Sequence, residues 1–197
     1  MSDNRRVDHP VAPIFIERWS ARSFTGDNMP EADLLTMFEA ARWAHSAANR
    51  QPWRFSYALR EDAEFARYVE FLDGGNRPWA EKAAALVVVI SQRRTPPTDG
   101  SEPRPIGTHS LDTGAALQSF TLQASMLGYV AHPMAGIDAG KISADLGIDE
   151  SDFKVEAMVA VGRLGLRDDL PEKYRDREKK SQRRPLGETV FRGHFQA

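Results

Sequence analysis

An uninterrupted apolar segment, residues 84–90, constrains the fold of this chain more than any other feature. It includes three consecutive valines, from Val87 to Val89. Branched side chains favour extended backbone, and a strand without polar positions has to be covered on both of its faces. We therefore predict that this segment is the central strand of a sheet that lies inside the protein.

The rest of the chain shows helical or alternating patterns on either side of this segment. Apolar residues at spacings of three and four predict the helices 14–19, 31–44, 61–72, 108–127 and 139–146. Short apolar or alternating stretches predict the strands 53–59, 129–134 and 155–162. Because helices and strands do not alternate regularly, the pattern indicates an α+β domain rather than a doubly wound sheet.

Three segments fall outside these patterns. Residues 1–13 are predicted to form a polar arm, and residues 165–197 a charged tail that wraps over a neighbouring subunit. Residues 92–107 contain four prolines and two glycines, which predicts an exposed loop. This loop is either a lid over a binding site or a plain flexible connection. The chain shows no internal repeat and no linker, so residues 1–197 are expected to form a single domain.

Composition and charge argue against several classes of function. The 197 residues carry a net charge of −2, whereas a general nucleic-acid binder is usually strongly basic. Without cysteine the chain has no thiol nucleophile, disulfide or thiolate metal site, and its histidines show no metal-ligand spacing. No apolar stretch approaches the roughly 18 residues that span a bilayer. We therefore expect a cytoplasmic protein that binds neither nucleic acid nor membrane.

Three polar clusters are candidates for a functional site. In Arg18-x-Ser20-x-Arg22, two guanidinium groups and a hydroxyl suit a phosphate, although the segment could also be a solvated basic turn. Residues 46–55 combine small residues, which let backbone approach a flat ligand, with two side-chain amides, but an ordinary helix-to-strand loop would look similar. Residues 179–185 are a basic run that could be a solvated face.

Taken together, the clusters resemble the nitroreductase family. Its members share an Arg-x-Ser-x-Arg segment, a helix followed by a loop of the type Ala-Pro-Ser-x-x-Asn-x-Gln-Pro-Trp-x-Phe, and a basic pair before Pro-Leu-x-Glu. The matching segments here are 18–22, 44–55 and 183–188. Two shorter pieces, 112–114 and 133–138, match in the expected order. The resemblance extends over nearly the whole chain.

The resemblance implies a fold, a cofactor and an activity. The fold would be an α/β sandwich with a mainly antiparallel central sheet, helices on both faces and a homodimer formed through long helices. Non-covalent FMN would lie at the dimer interface, touched by both chains. NADPH or NADH would donate hydride to the flavin, and a nitroaromatic, a quinone or a similar flat acceptor would take the electrons by a ping-pong mechanism. No side chain is assigned as a catalytic acid or base, because hydride transfer occurs at the flavin.

The resemblance also implies which residues hold the phosphate end of FMN. Arg18, together with Arg183 or Arg184, would bind the phosphate. Ser20 would support the phosphate or the ribityl chain. Arg22 would lie near the pyrimidine edge of the flavin, where a positive charge stabilises the reduced ring.

Further flavin contacts are implied along the chain. Asn76 would touch the flavin, and the backbone of Ala135 and Gly136 would lie near flavin N5. The loop after the first long helix would reach the flavin from the partner chain, through Ser46, Ala47, Asn49 and Gln51.

Three more residues are candidates for contacts with substrate. His45 stands where the family commonly has proline, and it either contacts flavin or substrate or is a partly buried histidine at a helix end. Ala48 lies in the same loop. Trp79 either borders the pocket or packs in the core.

Two other kinds of function fit the same residues. Relatives of the family oxidise azolines, remove halogens from tyrosines or break down flavin. A protein of this type could also store or sense FMN with little turnover. Oxidation of NADPH or NADH would separate the reductase from a storage or sensor protein.

Overall fold

The structure is a computed structural model that describes residues 5–96 and 102–195. The helices are α1 (Pro13–Glu17), α2 (Glu31–Arg42), α3 (Phe65–Val69), α4 (Arg77–Ala80), α5 (His109–Met126), α6 (Ala139–Leu146) and α7 (Glu172–Arg175). The strands are β1 (Trp53–Leu59), β2 (Ala85–Gln92), β3 (Arg94–Thr95), β4 (Arg104–Pro105), β5 (Val130–Met134) and β6 (Phe153–Gly162). Among these helices, none is long and apolar enough to cross a membrane.

The main sheet has four strands in the order β1-β2-β6-β5, and every neighbouring pair is antiparallel. Strand β2 is an interior strand, and Val87, Val88 and Val89 are each 0% exposed. Successive side chains of a strand point to opposite faces of a sheet. The apolar segment 84–90 therefore supplies both layers of the core, as its sequence predicts.

Helices cover both faces of the sheet. On one face, α2 and α5 pack with Val87 and Val89 of β2. On the other face, Leu86 and Val88 pack with side chains of α3, α4 and α6. This arrangement confirms the predicted α+β sandwich with an antiparallel sheet and helices on both faces.

The predicted helix over 61–72 is shorter in the structure. Asp62 closes a turn directly after β1, because its carboxylate accepts a hydrogen bond from the Leu59 amide at 2.7 Å. Helix α3 therefore begins only at Phe65. After α3 the chain turns, and Leu72 forms an isolated bridge with Ile137. The apolar spacing predicted a longer helix, whereas the turn at Asp62 and the bridge at Leu72 limit it.

The predicted loop 92–107 is not a simple exposed loop. Strands β3 and β4 form a short hairpin within it, and Ile106 is only 3% exposed. The amide of Ile106 donates to the Arg93 carbonyl at 2.7 Å, which closes the base of the hairpin. Residues 97–101 of the predicted loop lie outside the described residues. A lid role for the segment stays a prediction.

The extended segment 18–24 is fastened to the rest of the domain by backbone contacts. Phe24 bridges to Leu164, and the Gly165 amide donates to the Ser23 carbonyl at 3.0 Å. Ser23 in turn donates its hydroxyl to the Leu166 carbonyl at 2.6 Å. Because the chain is extended, Ala21 and Ser23 point inward and are buried, whereas Arg18, Ser20 and Arg22 lie on the outer side.

Glu178, in the C-terminal tail, holds the same segment from a second side. Its carboxylate accepts hydrogen bonds from the backbone amides of Arg22 at 3.0 Å and Ser23 at 2.9 Å. Tyr174, also in the tail, is buried and donates its hydroxyl to the Gly75 carbonyl at 2.8 Å. The first part of the tail therefore packs on its own chain, and the predicted wrapping over a neighbouring subunit stays a prediction.

His132 of β5 holds the segment from a third side. Its Nδ1 lies 2.9 Å from the Ala21 carbonyl oxygen, and because a carbonyl only accepts, Nδ1 carries the proton. The ring also packs on Trp79, with the two ring centroids 4.6 Å apart. Burial lowers the pKa of His132 from 6.5 to about 4, and the charge of Arg22 also lowers it. His132 is therefore neutral near pH 7.

Gly165→Ala is predicted to destabilise the fold. A Cβ at this position would lie 2.8 Å from the backbone carbon and oxygen of Phe24, which cannot move without disturbing the segment 18–24. We expect the free energy of unfolding to fall by about 1–3 kcal/mol, measured by urea denaturation. Gly140→Ala is the matched control, because its Cβ would meet only Asp138 Oδ1 at 3.7 Å in the first turn of α6. Equal stability of the two variants would contradict the close approach at Gly165.

His132 is predicted to make stability depend on pH between about 6.5 and 4. The unfolded chain binds a proton at this histidine in that range while the folded chain does not, so stability falls as pH decreases. The loss from this residue should be about 2–3 kcal/mol. Urea denaturation in phosphate-free buffer should show a shallower pH dependence for His132→Gln, which keeps a donor but does not titrate. Parallel curves for the two proteins would contradict this assignment.

Candidate functional site

A cavity of about 250 Å³ opens beside the segment 18–22. It is bounded by three parts of the chain: the N-terminal arm, the extended segment with β5 behind it, and the C-terminal tail. The lining residues are Arg5, Arg18, Trp19, Ser20, Arg22, His132, Arg177, Lys179, Ser181 and Arg183. Of the predicted phosphate-binding residues, Arg18, Ser20, Arg22 and Arg183 are brought together here. Arg184 is exposed and does not line the cavity.

The cavity is strongly cationic. Six of its lining residues are lysine or arginine, and none of the described lining residues is acidic. Burial lowers the pKa of the Arg18 guanidinium, and the charge of Arg183 lowers it further. Burial, followed by the charge of Arg177, likewise lowers the pKa of Arg22. Like charges held this close repel one another, so a bound anion would relieve a cost that the fold already carries.

Glu178 does not line the cavity, although its negative charge partly offsets the effects that lower the pKa of Arg22. Although it follows Arg177 directly, its carboxylate is turned toward the backbone amides of Arg22 and Ser23. A single acidic residue thus holds the backbone, while its neighbours Arg177 and Lys179 face the cavity. The arrangement concentrates positive charge on one side of the tail.

Three of the lining residues were not singled out in the sequence. Arg5 and Arg177 belong to charged stretches in which each cation resembles its neighbours. His132 carries no motif of its own, whereas Lys179 and Ser181 belong to the candidate basic run 179–185. Every second residue within 177–183 lines the cavity. This alternation is typical of an extended chain and is the pattern from which these lining residues could have been found.

The N-terminal arm meets the C-terminal tail beside the cavity. The Arg6 amide donates to Gln182 Oε1 at 3.1 Å, and the Leu186 amide donates to a carboxylate oxygen of Asp8 at 2.9 Å. The polar arm is therefore in contact with the tail, next to the cavity residue Arg183. This contact explains why Arg5, near the beginning of the chain, lines a cavity with residues 177–183.

Asn76, Ala135 and Gly136 come together after β5. The Asn76 side chain donates from Nδ2 to the Gly136 carbonyl at 3.0 Å. A Cβ on Gly136 would lie 2.2 Å from Asp73 Oδ2 and 2.6 Å from Asn76 Nδ2, so only glycine fits without displacing them. Within the described chain, the amides of Ala135 and Gly136 donate to no protein acceptor. Two backbone donors are therefore available to a ligand here.

The loop 46–51 has an unusual backbone conformation. Ala48, Asn49 and Gln51 have φ values of 50°, 53° and 48°. These values lie in the left-handed region, which residues other than glycine rarely adopt. Ser46 Oγ accepts a hydrogen bond from the Gln51 amide at 3.0 Å, and the Gln51 side chain donates to the Asn49 carbonyl at 3.1 Å. The loop is thus a defined structure.

None of the loop residues lines the cationic cavity. His45, Ala48, Asn49 and Gln51 are exposed. Within one chain, the predicted site residues of the segment 18–22 and of the tail are therefore separated from those of the loop.

Trp79 is buried, with 1% of its surface exposed. It stacks near Phe24, with ring centroids 6.2 Å apart, and its indole N–H donates to the Gly75 carbonyl at 3.1 Å. The Arg22 guanidinium lies over its ring, 5.8 Å from the centroid. Trp79 thus lies behind the cavity residues Arg22 and His132. Its burial agrees with the core interpretation and leaves no surface for substrate in this chain.

Helix α5 exposes an apolar face beside the loop. Leu111 is 73% exposed and Met126 is 62% exposed. Between them, Gly114, Ala115, Ser119 and Leu122 lie outside the buried stripe of the helix. Trp43, at the end of α2, is 75% exposed. Large exposed apolar patches mark surfaces that bind another molecule.

Comparison with known proteins identifies the family. The model of the family described as Nitroreductase family matches residues 16–74 and 58–163. A protein of Streptomyces coelicolor, provisionally named NADH dehydrogenase/NAD(P)H nitroreductase, is 30% identical over 166 residues, which are 77% of this chain and 81% of that protein. A protein of Mycolicibacterium smegmatis named only as an uncharacterized 15.4 kDa protein is 30% identical over 135 residues, covering 68% of this chain and 86% of that one.

Solved structures show the same fold. A crystal structure described as an oxidoreductase containing FMN is 45% identical, with a TM-score of 0.96 over 100% of this chain and 98% of the other. A nitroreductase-type protein from Desulfovibrio desulfuricans, solved in complex with FMN, is 23% identical with a TM-score of 0.72, over 96% of this chain and all of the other. The family model spans more than half of the chain, and the Streptomyces relative is covered over most of its length. The chain therefore belongs to the nitroreductase family of oxidoreductases.

Proposed function

We propose that the protein is an FMN-dependent reductase that takes hydride from NADPH or NADH and passes electrons to a nitroaromatic, a quinone or a similar flat acceptor. The observation that carries the proposal is the cationic cavity. Six positive side chains surround it, and a phosphate carries about two negative charges and hydrogen-bonds strongly to arginine. The relative at 45% identity, described as containing FMN, supports the same choice of ligand.

The residues around the cavity fit the phosphate end of FMN. Arg18 and Arg183 would bind the phosphate oxygens, and Ser20 would donate its hydroxyl. Arg177 and Lys179 would add charge from the tail. Because the backbone of the segment 18–24 is held by Glu178 and by the contacts with 164–166, the arginines need little reorganisation to receive the anion.

The residues after β5 fit the ring end of FMN. When bound, FMN supplies a ring that accepts hydride from a nicotinamide and gives electrons to a second substrate. The free amides of Ala135 and Gly136 would donate hydrogen bonds to the ring edge, and Asn76 holds the Gly136 carbonyl in place. Arg22, over Trp79, would place positive charge near the pyrimidine side. The protein thus contributes binding and orientation, and we assign no side chain as acid or base.

We further propose that two chains share each flavin. The loop 46–51 does not line the cavity of its own chain, and its exposed residues lie beside the apolar face of α5. A dimer formed through α5 would cover Leu111 and Met126 and would bring each loop toward the other chain's cavity. His45 and Ala48 would then lie where an acceptor approaches the flavin.

The purified protein is predicted to be yellow and to lose its colour on reduction. Visible spectra would be recorded before and after NADPH or NADH is added separately without oxygen. Bleaching by either nucleotide is expected, because the flavin accepts hydride, and the faster nucleotide identifies the donor. Light scattering of the same sample should give twice the mass of one chain.

A colourless protein that cannot be loaded with FMN would contradict the proposed function. A yellow protein that neither nucleotide bleaches would support a storage or sensor role, or a specialised flavin enzyme. A monomer that holds FMN would contradict the shared site but not the cavity.

Arg18→Ala is predicted to weaken FMN binding by about 10- to 100-fold, because a charge-assisted hydrogen bond to phosphate is lost. Dissociation constants would be measured by quenching of flavin fluorescence. Riboflavin, which lacks the phosphate, should bind the variant and the wild type within about twofold of each other. Arg67→Ala is a control, because Arg67 lies on α3 and pairs with Glu64. Equal losses for FMN and riboflavin would mean that Arg18 does not contact the phosphate.

A further inference from the structure

Asp112 is a buried carboxylate for which the proposed function has no use. It lies in the first turn of α5 and is only 3% exposed. Its Oδ2 accepts hydrogen bonds from the Thr108 hydroxyl at 2.9 Å and from the Ala47 amide at 3.2 Å. The second contact joins α5 to the loop 46–51, which is 65 residues away in sequence.

Asp112 is held in place by the helix that carries it. A carboxylate removed from water has to be hydrogen-bonded, and the N-terminal turn of a helix favours negative charge. Helix α5 is 18 residues long and is packed on the sheet through Phe120 and Ala124. Asp112 is therefore anchored to a rigid element, whereas the Ala47 amide belongs to a loop.

The loop needs such an anchor because its own conformation is costly. Each residue other than glycine in the left-handed region costs about 1 kcal/mol, and the loop has three of them. The hydrogen bonds from Gln51 to Ser46 and Asn49 lie within the loop and fix its shape but not its position. Among residues 5–96 and 102–195, two side chains connect the loop to other elements: Asp112 accepts from Ala47, and Arg54 of β1 donates to the Gln51 carbonyl at 3.0 Å.

We infer that Asp112 is a positioning residue for the flavin-binding loop: by accepting the Ala47 hydrogen bond, it fixes the surface that residues 46–51 offer to FMN. The inference rests on the proposed function. Asp112 does not touch the cofactor itself. It acts through the loop, in the same way that Glu178 acts through the backbone of Arg22 and Ser23 at the phosphate end.

The hydrogen bond can be removed from either end. Asp112→Ala removes the acceptor. Ala47→Pro removes the donor, and proline fits there because Ser46 is extended, with φ −149° and ψ 153°, and Ala47 begins a short helical turn. Each variant is expected to bind FMN about tenfold more weakly than the wild type, measured by flavin fluorescence. The double variant should be no weaker than the single variants, because both changes remove one interaction.

The conservative variant and a control separate positioning from general damage. Asp112→Asn keeps an acceptor oxygen and should bind FMN within about threefold of the wild type. Glu156→Gln disturbs the same end of α5, where Glu156 accepts from Ser91 and Ser110, but it does not contact the loop. It should leave FMN affinity unchanged within about twofold.

Hydrogen exchange at the Ala47 amide provides a readout that does not depend on the cofactor. In Asp112→Ala the exchange of this amide should be at least about tenfold faster than in the wild type, with Asp112→Asn in between. Multiplying losses in the double variant, unchanged exchange at Ala47, or an equal loss of affinity in Glu156→Gln would each overturn the inference. A wild-type protein that does not bind FMN would overturn the proposed function, while the exchange result would still report whether Asp112 holds the loop.

Discussion

Glu178 accepts hydrogen bonds from the amides of Arg22 and Ser23, and this contact joins two stretches of chain that lie 156 residues apart. The cavity depends on it, because the arginines of the segment 18–22 and the cations of the tail face each other only while the two stretches are held together. Like charges oppose that approach. A buried carboxylate that binds backbone, rather than the guanidinium groups themselves, holds the stretches together and leaves the charges available to a ligand.

The two ends of the proposed flavin site depend on different interactions, charge attraction at one end and directional hydrogen bonds at the other. At the phosphate end, long cationic side chains provide charge, and their exact positions matter less because Coulomb attraction acts over several ångströms. At the ring end, the contacts come from backbone amides after β5, which have to be aligned with the ligand. This alignment limits which residue can stand at position 136. Asp73 and Asn76 occupy the space that a Cβ would need, so only glycine fits there without displacing them.

Much of the fold followed from the sequence because it depends on local patterns. The segment 84–90 has no polar residue, so its burial on both faces was predictable. The Arg18–Arg22 motif was also local, and it lines the cavity. Lys179 belonged to a candidate basic run and Arg177 did not, because a basic stretch does not show which of its cations line a cavity. That selection depends on the hydrogen bonds of Glu178 to the backbone of Arg22 and Ser23. The hydrogen bond between Asp112 and Ala47 could not be predicted either, because it joins residues 65 positions apart and neither segment has a sequence pattern that indicates its partner. The hairpin within 92–107 was missed because prolines and glycines dominate the composition of that stretch.

The C-terminal tail carries the buried tether Glu178 together with three of the six cations of the cavity, Arg177, Lys179 and Arg183. These residues are concentrated within a few positions of one another, in a region that has little regular secondary structure. A premature stop codon or a proteolytic cut before them would keep every residue of the sheet and its covering helices, but it would remove half of the cations that line the cavity and the hydrogen bonds from Glu178 to the segment 18–24. Shortened versions of this protein are therefore unsuitable for separating the effect of the cavity's charge from the effect of losing support for the segment 18–24.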